Sequence, residues 1–168
     1  MGKSQSSDYG FDDHDGEAGW GPDFQLTDSF LLEFLEVSKC WVSSRPGPDE
    51  TKIDLLDAVR FLPVVFWYTL QDDKGWVCRF LGSEIVGVRG NDPTQKALER
   101  SEDNLVDQYV GAFFDLVVKA GEPVSTESQS VVKGREYLRT QSVGLPVFDA
   151  SGKISGIIGA QVFFRPDV

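Results

Sequence analysis

Between Thr27 and Ser43 the large apolar residues recur at spacings of three and four: Phe30, Phe34, Val37 and Trp41, flanked by Leu31 and Leu35. That period places one apolar face on a helix. The pattern predicts a helix opening near Thr27, whose hydroxyl caps it while Leu26 and Leu31 sit at the spacing of a hydrophobic staple. Pro46, Gly47 and Pro48 break the segment from Ser44 to Lys52. Asp54 then caps a short helix, Leu55 to Leu62, which Pro63 terminates.

The pattern next changes to β-branched and aromatic runs. Val64 to Gln71 and Trp76 to Leu81 read as strands joined by the turn Asp72-Asp73-Lys74-Gly75, a β-hairpin. Short helical turns cross Gly87, Gly90 and Asp92-Pro93 to a longer helix opening near Ser101. Leu105, Tyr109, Ala112, Phe113, Leu116 and Ala120 share one of its faces, and Gly121 with Pro123 ends it. Three strands follow, Val124 to Val132, Glu136 to Phe148 and Lys153 to Phe164. The short turns between them require antiparallel pairing.

Composition narrows the class. The chain has 168 residues, 40% hydrophobic and 12% aromatic, enough for one well-buried core. Its formal charge of −11 repels phosphate backbones and anionic lipid surfaces. Nucleic acid and membrane are therefore not expected as partners. No apolar run of membrane-spanning length and no signal-peptide pattern occurs, and a cytoplasmic location is expected. Residues 1–22 set Lys3 against Asp8, Asp12, Asp13, Asp15 and Glu17, with several glycines, and are expected to be a disordered acidic tail. Residues 23–62 read as a helical extension and residues 63–165 as the core domain.

Two strands, a helical crossover and three strands form the layout of a PAS domain. The blocks Phe61-Leu62-Pro63, Arg79-Phe80-Leu81-Gly82-Ser83, Gly90-Asn91-Asp92-Pro93-Thr94, Gly121-Glu122-Pro123 and Leu145-Pro146-Val147-Phe148-Asp149 resemble, in that order, a stand-alone PAS family of alphaproteobacteria (PAS type 5-like). The similarity spans roughly residues 28–164. Members of that family often carry Gly where this chain has Gln95, and proline where it has Leu55. The resemblance implies an α+β PAS fold: a five-stranded antiparallel sheet, crossover helices on one face and an N-terminal helical extension. It also implies a cytoplasmic sensory or regulatory module without fixing its signal.

The string Cys78-Arg79-Phe80-Leu81 resembles the motif with which light-oxygen-voltage photoreceptors bond a flavin covalently. In those domains the cysteine lies on a crossover helix after the first hairpin, whereas Cys78 lies within the second strand. The context argues against flavin photochemistry. The sole histidine, His14, lies in the tail, which argues against haem ligation and against a histidine general base. No zinc pattern and no glycine-rich phosphate loop is present, and the only two cysteines, Cys40 and Cys78, read as free thiols. No catalytic or metal-binding residue is assigned, and no cofactor is identified.

What remains is a cavity and surfaces. Trp67, Arg79, Tyr109, Arg139 and Gln141 are the candidate contacts for a small ligand. Tyr137, Arg139, Gln141, Val143 and Leu145 alternate onto one face of a strand, which is either the solvent side or a ligand-facing side. Arg79 has a second possible role, an ion pair with Asp92 or another crossover carboxylate. Phe34 and Trp41 are the candidate partner or dimer surface, the alternative being that their helix covers its own sheet. The expected function is a non-enzymatic regulatory module acting through a signalling protein partner or a homodimer, modulated by a small ligand. A flavin photoreceptor or ligand-dependent enzyme using the same cavity is the alternative.

Overall fold

The computed structural model describes residues 19–21 and 24–166. A short strand, β1 (Gly19–Gly21), precedes helix α1 (Ser29–Ser38). A 3-10 turn, Lys39–Trp41, and a longer 3-10 segment, Leu55–Val64, lead to the hairpin of β2 (Val65–Gln71) and β3 (Gly75–Leu81). The crossover holds α2 (Ser83–Arg89) and α3 (Leu105–Ala120), and β4 (Val124–Gln129), β5 (Arg139–Phe148) and β6 (Ile154–Phe164) complete the chain. The strands lie in the order β4-β5-β6-β2-β3, all antiparallel, with β1 added beside β4. This five-stranded core with flanking helices is a PAS-type α+β architecture.

Both open edges of that core are covered, as exposed strand edges require. β1 pairs with β4, Gly19 opposite Glu127. Apart from this strand, the expected acidic tail lies outside the described residues. At the other edge the crossover loop lies along β3: Cys78 N–H donates to Lys96 O at 3.0 Å, Gln95 N–H to Cys78 O at 2.7 Å, and Leu98 N–H to Trp76 O at 2.9 Å.

Local detail departs from the expected helices for identifiable reasons. Asp28, not Thr27, caps α1, its Oδ1 accepting from Leu31 N–H at 2.9 Å. The α-helix ends at Ser38 and tightens into the 3-10 turn that swings Trp41 inward. Asp54 caps the next segment as expected, accepting from Leu56 N–H at 2.9 Å. That segment is 3-10, kinked at Ala58, with Pro63 inside its last turn. Helix α3 begins at Leu105 rather than Ser101, because the Asn104 side-chain Oδ1 accepts from Asp107 N–H at 3.0 Å and serves as its cap.

Two cores flank the sheet. On the outer face Leu31, Phe34 and Trp41 pack with Trp67, Val143, Leu145 and Ile158. On the inner face Phe113, Phe114 and Val117 of α3 pack against Phe66, Tyr68 and Ile157. A facing glycine pair, Gly144 and Gly159, permits the inner contact. A Cβ at Gly144 would come within 2.9 Å of the Phe113 ring, and one at Gly159 within 2.5 Å of Phe66.

Gln95 alone among the described non-glycine residues has a left-handed backbone, φ 71°. A glycine would adopt this conformation without strain, whereas an L side chain is strained there. Gln95→Gly is expected to stabilise the fold by about 0.5–1 kcal/mol, the left-handed penalty of about 1–2 kcal/mol less the added freedom of the unfolded chain. Urea unfolding measures this, and a lower midpoint in the variant would assign the Gln95 side chain a stabilising contact that outweighs the strain.

Candidate functional site

Between the inner face of the sheet and the crossover helices the packing leaves a cavity of about 70 Å³. A single water needs about 10–15 Å³ by this kind of measure, so the space admits several waters or a ligand of a few heavy atoms. Phe66 and Tyr68 on β2, Ile85 on α2, and Phe113 and Phe114 on α3 give it an aromatic and aliphatic wall. Tyr68 and Phe114 meet edge to face, centroids 5.0 Å apart. Further along the same sheet the lining is polar and uncharged, with Thr140 and Ser142 on β5 and Gln161 on β6.

The polar groups fall into three kinds. Tyr109 Oη lies 2.6 Å from Ser128 Oγ, which lies 3.3 Å from Thr140 Oγ1, so these hydroxyls form a chain along the wall. Burial pushes the Tyr109 phenol above its ordinary range and keeps it protonated. Arg89 faces the cavity with its charge matched: Nη2 donates to Asp107 Oδ1 at 2.8 Å, Nε donates to Asn91 Oδ1 at 3.0 Å, and Asp107 Oδ2 accepts from Glu99 N–H at 2.8 Å. Ser142 is different. It is 2% exposed, lines the cavity, and its hydroxyl has no hydrogen-bond partner.

Of the candidates read from sequence, only Tyr109 lines this cavity. Arg139 and Gln141 project from the opposite face of β5, toward neither the cavity nor open solvent. Gln141 Oε1 accepts from Thr27 N–H at 3.2 Å and Asp28 N–H at 3.1 Å, and its Nε2 donates to Thr27 Oγ1 at 2.6 Å and Glu127 Oε1 at 2.7 Å. It ties the start of α1 to the sheet. Arg139 Nη2 pairs with Glu127 Oε2 at 3.3 Å. Trp67 and Tyr68 point to opposite faces as adjacent strand residues must, and Tyr68 is the inner one. Arg79 stacks on Trp67, its guanidinium carbon 4.1 Å from the ring centroid, and forms no ion pair with Asp92. Asp92 instead accepts from Thr94 N–H and Oγ1, which holds its carboxyl below the usual range.

Phe34 and Trp41 are both 0% exposed against their own sheet, which is the intramolecular arrangement of the two left open by the sequence. Cys78 is also fully buried, on the inner side of β3 but not in the cavity wall, and burial pushes its thiol up. Among the described residues no three His, Cys, Asp or Glu side chains are grouped to hold a metal ion, and no helix is long and apolar enough to cross a membrane.

The odd-numbered positions of β5 carry Arg139 and Gln141, whereas the cavity is lined from the even-numbered ones, Thr140 and Ser142. A signal for the second register exists. Thr126, Ser128 and Ser130 and then Thr140 and Ser142 alternate along adjoining segments, and all are buried. A repeated small hydroxyl on one face of paired strands marks a wall that is neither a hydrocarbon core nor solvent.

No protein-family model matches the chain, and no curated protein matches it. Among solved structures it is similar to an RNA-binding light-oxygen-voltage receptor, at 10% identity and a TM-score of 0.48, over 87% of this chain and 38% of that one. It is also similar to the N-terminal domain of a diguanylate cyclase with PAS/PAC sensor from Marinobacter aquaeolei, at 17% identity and a TM-score of 0.43, over 61% of this chain and 94% of that one. The chain thus spans well under half of the light-oxygen-voltage receptor. The fold assignment rests on the strand order.

Proposed function

We propose that this chain is a non-enzymatic sensory or regulatory PAS module, of the stand-alone alphaproteobacterial kind its sequence blocks resemble, that binds a small uncharged ligand in the inner cavity. The observation that supports the reading is the unpartnered Ser142 hydroxyl, set in a wall where the neighbouring hydroxyls are already paired. A buried hydroxyl without a partner costs about 1–3 kcal/mol, which a ligand that hydrogen-bonds it recovers. The Arg89–Asp107 pair leaves the cavity without net charge, and the aromatic wall accepts apolar atoms. A compact neutral molecule with one hydrogen-bonding group fits that combination.

The route from ligand to partner runs through one strand. Ser142 lies between Gln141 and Val143, whose side chains hold the outer helical cover. A ligand that shifts β5 at Ser142 changes the footing of α1 on the other side of the sheet, where a regulatory protein would read it. Screening small neutral hydrogen-bonding molecules by thermal unfolding is expected to find ligands that raise Tm, with the rise lost in Ser142→Val. A screen that finds no stabilising ligand, or ligands that stabilise Ser142→Val equally, overturns the reading.

A further inference from the structure

A second pocket, of about 270 Å³, lies on the opposite face of the sheet from the inner cavity, lined by Trp67, Thr69 and Arg79 of the hairpin together with Glu50, Thr51 and Ser155. A β-bulge lies at its Arg79 edge. Trp67 pairs with Phe80 and Tyr68 with Cys78, so Arg79 is an extra residue in β3. A bulge re-aims the side chain it carries, and here it lays the Arg79 guanidinium over the indole of Trp67.

The polar groups of this pocket are left incomplete in a specific way. The Trp67 indole N–H is buried without an acceptor. Arg79 is exposed, and among the described residues its cation meets only the indole face, with no carboxylate at ion-pair distance. Glu50 accepts from Ser155 Oγ at 2.7 Å but likewise has no cationic partner among the described residues. Among the described residues, then, this pocket carries a cation and a carboxylate that form no ion pair with each other or with any other side chain. A guanidinium held flat by stacking keeps its edge N–H donors free for a carboxylate, while a carboxylate in the same pocket accepts from an ammonium.

We propose that this pocket binds a small zwitterion, an α-amino acid, whose carboxylate meets Arg79 and whose ammonium meets Glu50. The inference is independent of the inner-cavity ligand, which is neutral and lies across the sheet. A dianion is disfavoured by Glu50, and a lone cation by Arg79, so the arrangement selects for both charges on one small molecule.

Calorimetric titration of the full chain with the individual L-α-amino acids tests it, with sodium acetate and methylammonium chloride as single-charge probes at matched ionic strength. At least one amino acid is expected to bind with one-to-one stoichiometry and at least tenfold more tightly than either probe. Arg79→Gln and Glu50→Gln should each weaken it tenfold or more, and Trp67→Phe should weaken it less. Arg60→Gln, which removes an exposed cation from the same side of the molecule, should leave it unchanged. Circular dichroism and thermal unfolding establish that each variant is folded. The absence of binding by every amino acid at millimolar concentration overturns the proposal. So does acetate binding as tightly as the amino acid, or binding that persists in Arg79→Gln.

Discussion

Trp41→Ala is expected to lower the unfolding free energy by about 3–5 kcal/mol and to do so independently of protein concentration. The indole is fully buried, meets Phe34 edge to face with centroids 6.3 Å apart, and donates from Nε1 to Asp57 Oδ2 at 3.1 Å. Truncation therefore opens a cavity beneath the N-terminal cover and removes one donor from a carboxylate. Because α1 is short, with ten residues, most of its stability must come from this packing and from its cap. Trp41→Phe retains the apolar bulk and should lose less. Urea unfolding at two protein concentrations decides the point. A wild-type midpoint that rises with concentration, and a Trp41→Ala midpoint that does not, would place the residue at an interface between copies.

The elements legible in the sequence are those whose apolar period is long and unbroken. Val65–Gln71 and Gly75–Leu81 were readable because β-branched and aromatic residues flank an evident turn, and the antiparallel order of the last three strands followed from their short connections. The pairing of β1 with β4 was not readable, since an edge strand of three residues is selected by backbone groups rather than by a side-chain pattern. The same limit applies to the caps. Thr27 and Asp28 are both good N-cap residues, and the choice was made 113 residues away, where Gln141 accepts from the Asp28 N–H and donates to the Thr27 hydroxyl.

The candidate site was divided by the same physics. Alternation tells which residues share a face, but not which face is covered by what. Gln141 and Arg139 share a face with Val143, and it took the docked helix to show that this face is the outer core. Arg79 meets Trp67 from an unpaired bulge position, after which Phe80 shares its face, and nothing in the string from Trp76 to Leu81 announces an extra residue. The Arg89–Asp107 pair was similarly hidden, because its members are eighteen positions apart on two helices separated by an irregular loop.

That pair carries the second large expected effect. The side chains of Arg89 and Asp107 are 10% and 5% exposed, and the pair fastens α2, α3 and the intervening loop around the cavity. Removing one member of a buried pair costs about 3–5 kcal/mol because the other charge is left without compensation. Asp107→Ala is therefore expected to lose that amount, together with the acceptor for Glu99 N–H. Replacing both members, Arg89→Met with Asp107→Leu, removes the charge problem and should recover most of the loss, although the Glu99 amide still lacks its acceptor. The functional consequence separates from stability. In a still-folded Asp107→Ala protein the cavity wall carries an uncompensated guanidinium, so ligand preference should move from neutral molecules to small anions, while the double variant keeps the neutral preference. Chemical denaturation gives the first effect, and thermal shift with matched neutral and anionic ligands gives the second. Asp107→Ala retaining both wild-type stability and the neutral preference would show that Arg89 finds water instead of facing the cavity, and the pair would then have no part in selecting the ligand.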